Sequence, residues 1–374
     1  MIFTRIIEKS YKNILKPIYF KFDPEFIHDR ILTLGAIFGR FRITRNLTRI
    51  VFSYKSSLLT QNVCGLKFVN PVGLSAGFDK DANLINIISD VGFGFSEIGS
   101  VTYSSYEGNP KPRLYRLKKD KGLVVYYGLK NEGVVAISNK IKKKYIRRVD
   151  FVLGVSIART NSKKTAGLKE GIIDYVNCLN YLVQNKIGDY YTINISCPNT
   201  FYGEPYTTPE SLEKLLYEIK KIKTNKPIFL KMPINMPWVQ FDQLLKVIIK
   251  YNINGVIIGN LNKDRNSEYI TEAFPDSLKG GVSGKPTEKL SNELIFKTYQ
   301  KYSKRLVIIG VGGIFNAEDA YEKIKFGASI LQLITGMIFN GPQLIGQINR
   351  ELAELIKRDG FKNIQEAIGT AHVS

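Results

Sequence analysis

From Asn70 onward, short runs of β-branched and other apolar residues alternate with longer stretches in which apolar positions recur every three or four residues. The runs 71–75, 96–99, 151–157, 191–195, 227–231, 255–259, 306–310 and 329–333 are near-continuously apolar, as strands buried on both faces are. Between most of them the period lengthens to that of an amphipathic helix, over 83–91, 175–183, 209–222, 241–251, 292–302 and 317–325. Eight such strands alternating with helices predict a parallel (β/α)8 TIM barrel rather than an open doubly wound sheet. No GxGxxG follows the first run, which argues against a dinucleotide fold.

The first sixty or so residues follow a different pattern. Phe3, Ile6, Ile7, Tyr11, Ile14, Leu15, Ile18, Tyr19 and Phe20 are interleaved with Arg5, Lys9, Lys12, Lys16 and Lys21. This stretch has no compact apolar core with a small-residue cleavage site, and no run of about eighteen apolar residues occurs anywhere in the chain. Basic amphipathic segments of this kind lie in a membrane interface or pack as a helical cap on the main domain, and one segment can do both. A second apolar helical pattern covers 26–38, and a basic stretch follows over 40–55. The expected division is a helical, membrane-interface segment at 1–55 and a barrel at 56–374.

Composition narrows the chemistry. With 44% hydrophobic content the 374 residues suffice for one large core and a small appendage, far from the disordered range. Lys and Arg number 54 against 33 Asp and Glu, a formal charge of +21 that draws the chain toward anionic surfaces or phosphorylated ligands. Runs such as Lys142-Lys143-Lys144 with Arg147-Arg148 read as solvated helix faces. Cys64, Cys178 and Cys197 form no CxxC pair, as expected of a reducing compartment. The two histidines, His28 and His372, sit near the chain ends, so a histidine metal cage or Ser-His-Asp triad would need those ends to meet in the site; no metal is expected. Acid and base work falls to Cys, Lys, Asp or Ser.

Residues just after the strands of a barrel gather at one face. Here they are Ala76, Gly77, Phe78, Asp79, Lys80 and Asp81, then Ser100 and Thr102, then Arg159 and Asn161. The fourth strand runs into Asn194-Ile-Ser-Cys-Pro-Asn-Thr200, where Pro198 ends the ladder, carboxamides can hold a planar polar substrate and Cys197 can take a proton. The fifth ends on Lys231 and the sixth on Asn260 and Asn262. Glycine-rich loops at 280–284 and 310–313, with Thr335-Gly336 after the last strand, stand where barrels offer backbone N–H groups to a phosphate. Lys80 and Lys231, facing a phosphate site and a thiol, suggest flavin mononucleotide and a hydride-accepting role.

The stretches NPVGLSAGFDKD (70–81), GFGF (92–95), GNPKPRL (108–114), GGVSGKP (280–286), IIGVGGI (308–314) and FNGP (339–342) together resemble dihydroorotate dehydrogenase of the membrane-associated, quinone-linked class. The resemblance runs from about Phe22 to His372. It implies an FMN-binding barrel preceded by a small helical domain that meets the membrane and admits quinone, on the cytoplasmic face, with no nucleic acid among its partners. Carried over by position, flavin contacts would fall on Ala76, Gly77, Lys80, Ser100, Asn194, Lys231, Gly284, Gly313 and Thr335, and orotate contacts on Lys80, Asn194, Asn199 and Asn260. In the implied reaction Cys197 takes the C5 proton of dihydroorotate as the C6 hydride goes to the flavin, which then passes its electrons to an acceptor.

The chain departs from that pattern inside the site. Cys197 stands where the quinone-linked class has serine and the soluble class has cysteine; Val125-Tyr-Tyr-Gly-Leu-Lys130 replaces an Asn-Arg-x-Gly-Phe-Asn pattern. Ser156 replaces an asparagine, Asn260-Leu261 an Asn-Thr pair with Gly259 where threonine is usual, and Ile334 a tyrosine near the quinone path. Each lost partner of a buried polar ligand costs about 1–3 kcal/mol. Two other readings therefore stay open: a divergent flavin-dependent paralogue with another cyclic substrate or a soluble acceptor, and a non-catalytic basic barrel that binds membrane or RNA.

Overall fold

The structure, a computed structural model, describes residues 2–372, with side chains from residue 5; Met1 and the side chain of Phe3 lie outside the described residues. Eight parallel strands close into a barrel: β1 Val72–Leu74, β2 Phe95–Val101, β3 Val152–Ile157, β4 Tyr190–Asn194, β5 Ile228–Met232, β6 Gly255–Ile258, β7 Val307–Val311 and β8 Ile330–Leu333. Each strand pairs with its neighbours in sequence and β8 returns to β1, the right-handed βα order of a TIM barrel. Register aligns polar strand ends, placing Asn194 of β4 beside Lys231 of β5.

The start of the barrel is sealed. Aromatic and aliphatic side chains from seven of the strands (Phe95, Val152, Tyr190, Phe229, Ile257, Ile309, Ile330) pack together, and Val63 and Phe68 of an antiparallel hairpin, Gln61–Val63 with Leu66–Phe68, plug them from below. Phe68 meets Phe95 edge-on at 5.2 Å, an aromatic geometry that adds to the area buried. A ligand can therefore enter only from the opposite mouth.

Helices Val134–Lys144 and Leu344–Arg358, absent from the sequence reading, follow β2 and β8. The first shows only Val134, Ile137, Ser138 and Ile141 to the core, and its lysine run hid that narrow stripe. The helix expected over 83–91 shortens to Ile88–Val91, because the Asp79 carboxylate accepts the N–H groups of Asn83 (2.7 Å) and Leu84 (2.8 Å) and holds the preceding residues in turns. The glycine loop expected at 280–284 is largely a strand: Gly281–Gly284 pairs antiparallel with Gly122–Val125, which pairs with Leu114–Leu117, forming a small sheet over the barrel mouth.

The N-terminal residues form α1 (Ile2–Ser10), a π-helical turn (Tyr11–Leu15), α2 (Lys16–Tyr19), α3 (Pro24–Arg40) and α4 (Arg42–Phe52). Asp23 caps α3 by accepting the Phe26 N–H at 2.8 Å, with Pro24 in the first turn where no N–H is needed. Gly35 lets α3 approach the barrel: a Cβ there would press on the Leu84 side chain. Glu25, buried, is faced by Arg113 (3.1 Å), Lys130 (3.6 Å) and Lys111 (3.9 Å). On the other side Leu34, Phe38, Phe41, Ile43, Leu47 and Ile50 are exposed. No helix among the described residues is long and apolar enough to cross a membrane.

Candidate active site

The twelve residues that the resemblance assigns to flavin, substrate or base line one cleft at the mouth of the barrel: Ala76, Gly77, Lys80, Ser100, Asn194, Cys197, Asn199, Lys231, Asn260, Gly284, Gly313 and Thr335. The cleft encloses about 1260 Å³, its mouth included. Asp79, Asp81, Thr102, Arg159, Asn161 and Asn262, also expected at the mouth, do not line it. Arg159 turns to the carbonyls of Thr165 and Ala166, and Asn161 donates to the Gly128 carbonyl while accepting the Phe201 N–H at 2.7 Å, so it braces the loop that carries Cys197.

At the floor, Lys231 is buried and its Nζ lies 3.5 Å from Ser75 Oγ. Burial lowers its pKa, while Glu97 beneath it pulls the other way. Glu97 is itself fully buried and accepts from Thr192 Oγ1 (2.7 Å) and Gln332 Nε2 (3.2 Å). Asn194 donates to Ser100 Oγ at 2.9 Å, and Ser100 is bonded at 2.7 Å to Ser156, so the serine that replaces an amide sits beneath the cleft and supports its wall. Asn260 donates to Ser196, and Asn199 donates to the Val125 carbonyl at 2.8 Å while its own carbonyl accepts from Asn109. Both amides thus border the cleft with their donors engaged by protein.

Lys80, buried, stands 3.8 Å from the centroid of the Tyr127 ring. Burial brings its pKa down to about 8, against the opposing pull of Asp81. Burial likewise pushes the Cys197 thiol up to about 11, outweighing the Asn199 N–H and the Lys231 charge that favour thiolate.

One end of the cleft is built from Ser283, Gly284, Gly312, Gly313 and Thr335, with Ser283 Oγ and Thr335 Oγ1 3.0 Å apart. Gly77, at φ +110°, opens onto the cleft: a Cβ there would meet only Ile334, at 3.8 Å. That open cradle beside a lysine, an amide and a hydroxyl pair fits a flat heterocycle with a phosphate tail.

The outer half is apolar, with Leu114, Leu123, Val125, Leu129, Phe315, Ile334 and Ile338, and reaches toward the N-terminal helices. Phe20 packs edge-on against Phe339 at 5.4 Å, and Tyr11 donates to the Ile338 carbonyl at 2.7 Å. His28, near one chain end in the sequence, does reach the site: α3 carries it into the cleft wall, edge-on to Phe78 at 4.8 Å. Burial, then the Lys80 charge, lower its pKa to about 3, so it is neutral at physiological pH. His28 Nε2 and Tyr127 Oη are buried without a hydrogen-bond partner among the described residues. Neither was foreseen, since both depend on how a distant helix and a loop dock, which no local motif reports.

A model of the dihydroorotate dehydrogenase family matches residues 58–356. The chain is 34% identical over 379 residues to a dihydroorotate dehydrogenase (quinone) of Trichodesmium erythraeum, covering 97% of this chain and 99% of that one. To the protein of the same name from Christiangramia forsetii it is 38% identical over 351 residues, covering 92% and 99%. Among solved structures, DHODH from Eimeria tenella in complex with ferulenol superposes with a TM-score of 0.81 at 27% identity, covering 94% of this chain and 96% of that one.

Proposed function

The chain belongs to the dihydroorotate dehydrogenase family, in its quinone-linked class, and from that premise we propose how its own residues carry out the reaction. It oxidises dihydroorotate to orotate in de novo pyrimidine biosynthesis and passes the electrons to quinone. Nothing favours a divergent substrate or a non-catalytic barrel. The near-full-length likeness to proteins of one activity carries this conclusion, and the convergence of two buried lysines, a thiol and three amides on one cleft supports it.

The enzyme is a flavoprotein, and the flavin we propose is FMN, held by Ala76, Gly77, Lys80, Ser100, Asn194, Lys231, Gly284, Gly313 and Thr335. When bound, it supplies the acceptor for the hydride leaving C6 of dihydroorotate and the donor for the quinone. Cys197 takes the proton from C5. Lys80, Asn194, Asn199 and Asn260 hold the substrate's carboxylate and ring amides, and Asn199 and Asn260 must exchange a protein acceptor for a substrate one as it enters. The apolar outer half suits the quinone, with Tyr127 Oη as a donor to a ring carbonyl and neutral His28 beside it. Residues 1–55 form the helical unit that rests on the membrane surface at the cytoplasmic face, and 56–374 the barrel. Its outward apolar residues and basic charge support that placement.

Purified protein is expected to be yellow, to release FMN on heating and to bleach when dihydroorotate is added without oxygen. A heat-released supernatant lacking FMN would exclude the cofactor, and a bound flavin that stays oxidised would exclude the substrate.

A further inference from the structure

A second cleft, polar where the first is apolar, lies between α4 and the closed end of the barrel and encloses about 1000 Å³, its mouth included. α4 is turned unusually: Arg42, Arg45 and Arg49 face this cleft and the barrel, whereas Ile43, Leu47 and Ile50 are 74%, 57% and 79% exposed. At 3.6 residues per turn the two faces are about 120° apart, so they adjoin along one edge of the helix. Arg148 adds a cation from the barrel side and Lys55 one from the loop after α4. Against these five stand two carboxylates. Asp90, fully buried, is shared by Arg49 and Arg148 at 2.7 Å each, and Asp150 leans to Lys55 at 3.4 Å. Arg42 and Arg45 are left without a carboxylate among the described residues, and Arg45 Nε is buried without a hydrogen-bond partner.

We propose that this cleft binds the phosphate of an anionic phospholipid, with the acyl chains passing over Ile43, Leu47 and Ile50. Guanidinium forks match phosphate oxygens in geometry as well as charge, and a buried unpartnered donor calls for an acceptor. The adjoining exposed apolar stripe selects a lipid over a free phosphate. The inference rests on the membrane-surface reading above and makes it specific: one stereochemical headgroup site, rather than a diffuse field from a +21 chain.

The test is co-sedimentation of the full-length flavoprotein with phosphatidylcholine vesicles, with and without phosphatidylglycerol. Arg42→Gln/Arg45→Gln is expected to weaken binding to phosphatidylglycerol vesicles at least about tenfold, from roughly 1 kcal/mol per cation at a membrane surface. Lys143→Gln/Lys144→Gln removes the same charge from the last turn of another helix and is expected to change binding by less than about twofold. Arg42→Lys/Arg45→Lys keeps the charge but removes the forks, and is expected to weaken binding several-fold while melting temperature and flavin content stay as in the wild type. Equal losses for the arginine and lysine pairs would overturn the site and leave membrane attachment standing. Displacement of the wild type by millimolar inorganic phosphate would overturn the lipid in favour of a soluble anion. If the wild type ignores phosphatidylglycerol vesicles at low salt, the site and the membrane-surface reading both fail.

Discussion

Cys197→Ala is expected to keep its flavin and to slow flavin reduction by dihydroorotate about 10²- to 10⁴-fold, the usual loss when a positioned general base is removed. Stopped-flow absorbance under anaerobic conditions measures it, and unchanged kinetics would remove Cys197 from the mechanism. The thiol lines the cleft within the field of Lys231, and neither barrel-mouth lysine can replace it while protonated. The pH dependence sharpens the test. Because burial holds the thiol up to about 11, little thiolate exists at neutral pH, and its fraction rises tenfold per pH unit below that value. Reduction should therefore accelerate with rising pH at near-unit logarithmic slope, until the thiolate dominates or Lys80 begins to lose its proton. In Cys197→Ser the alkoxide is harder to form, so reduction should be slower at every pH, with the rise again limited by Lys80.

The barrel was legible because strands buried on both faces are written as mostly apolar runs, broken here by Glu97, Lys231 and Gln332, and all eight lie within a few residues of their observed ends. The candidate site was legible for the same reason: in this architecture a strand end is an address, so Lys80, Asn194, Cys197 and Lys231 could be assigned to one face before any contact was known. What stayed hidden is non-local. Leu114–Leu117 and Gly122–Val125 are four-residue strands that pair locally, but the pairing of Gly281–Gly284 with Gly122–Val125 spans more than 150 positions, and Gly281–Gly284 reads locally as a glycine turn. α4 reads locally as a basic stretch, and nothing in its residues says that Arg42, Arg45 and Arg49 line a cleft against the barrel. Arg49 is held there by Asp90, a fully buried carboxylate on the barrel that must be neutralised, and its neighbours on the same face follow it. His28 escaped for a related reason, since its place in the cleft is set by where α3 docks.

That docking gives the other large effect. Glu25→Ala is expected to destabilise the fold by about 3 kcal/mol, because it removes the only carboxylate that pairs with Arg113 and Lys130 among the described residues and leaves Arg113, 12% exposed, without its counter-ion. The loss should concentrate in α3, whose attachment rests on Glu25, on His28 against Phe78 and on Gly35 against Leu84. Limited proteolysis should cut the N-terminal helices first, and quinone reduction should fall further than flavin reduction, since the flavin-facing residues lie on the barrel. Glu25 also favours the charged form of Lys80, so its removal lowers a pKa that burial has already brought to about 8. The KM for dihydroorotate should then rise with pH, as Lys80 loses the charge that holds the substrate carboxylate, and the rise should begin at lower pH in Glu25→Ala than in the wild type. Glu25→Gln should share the KM shift, while the retained side-chain volume and hydrogen bonding give back part of the stability. A variant that melts like the wild type, or that loses flavin and quinone activity in equal measure, would show that α3 is held by something other than this buried carboxylate.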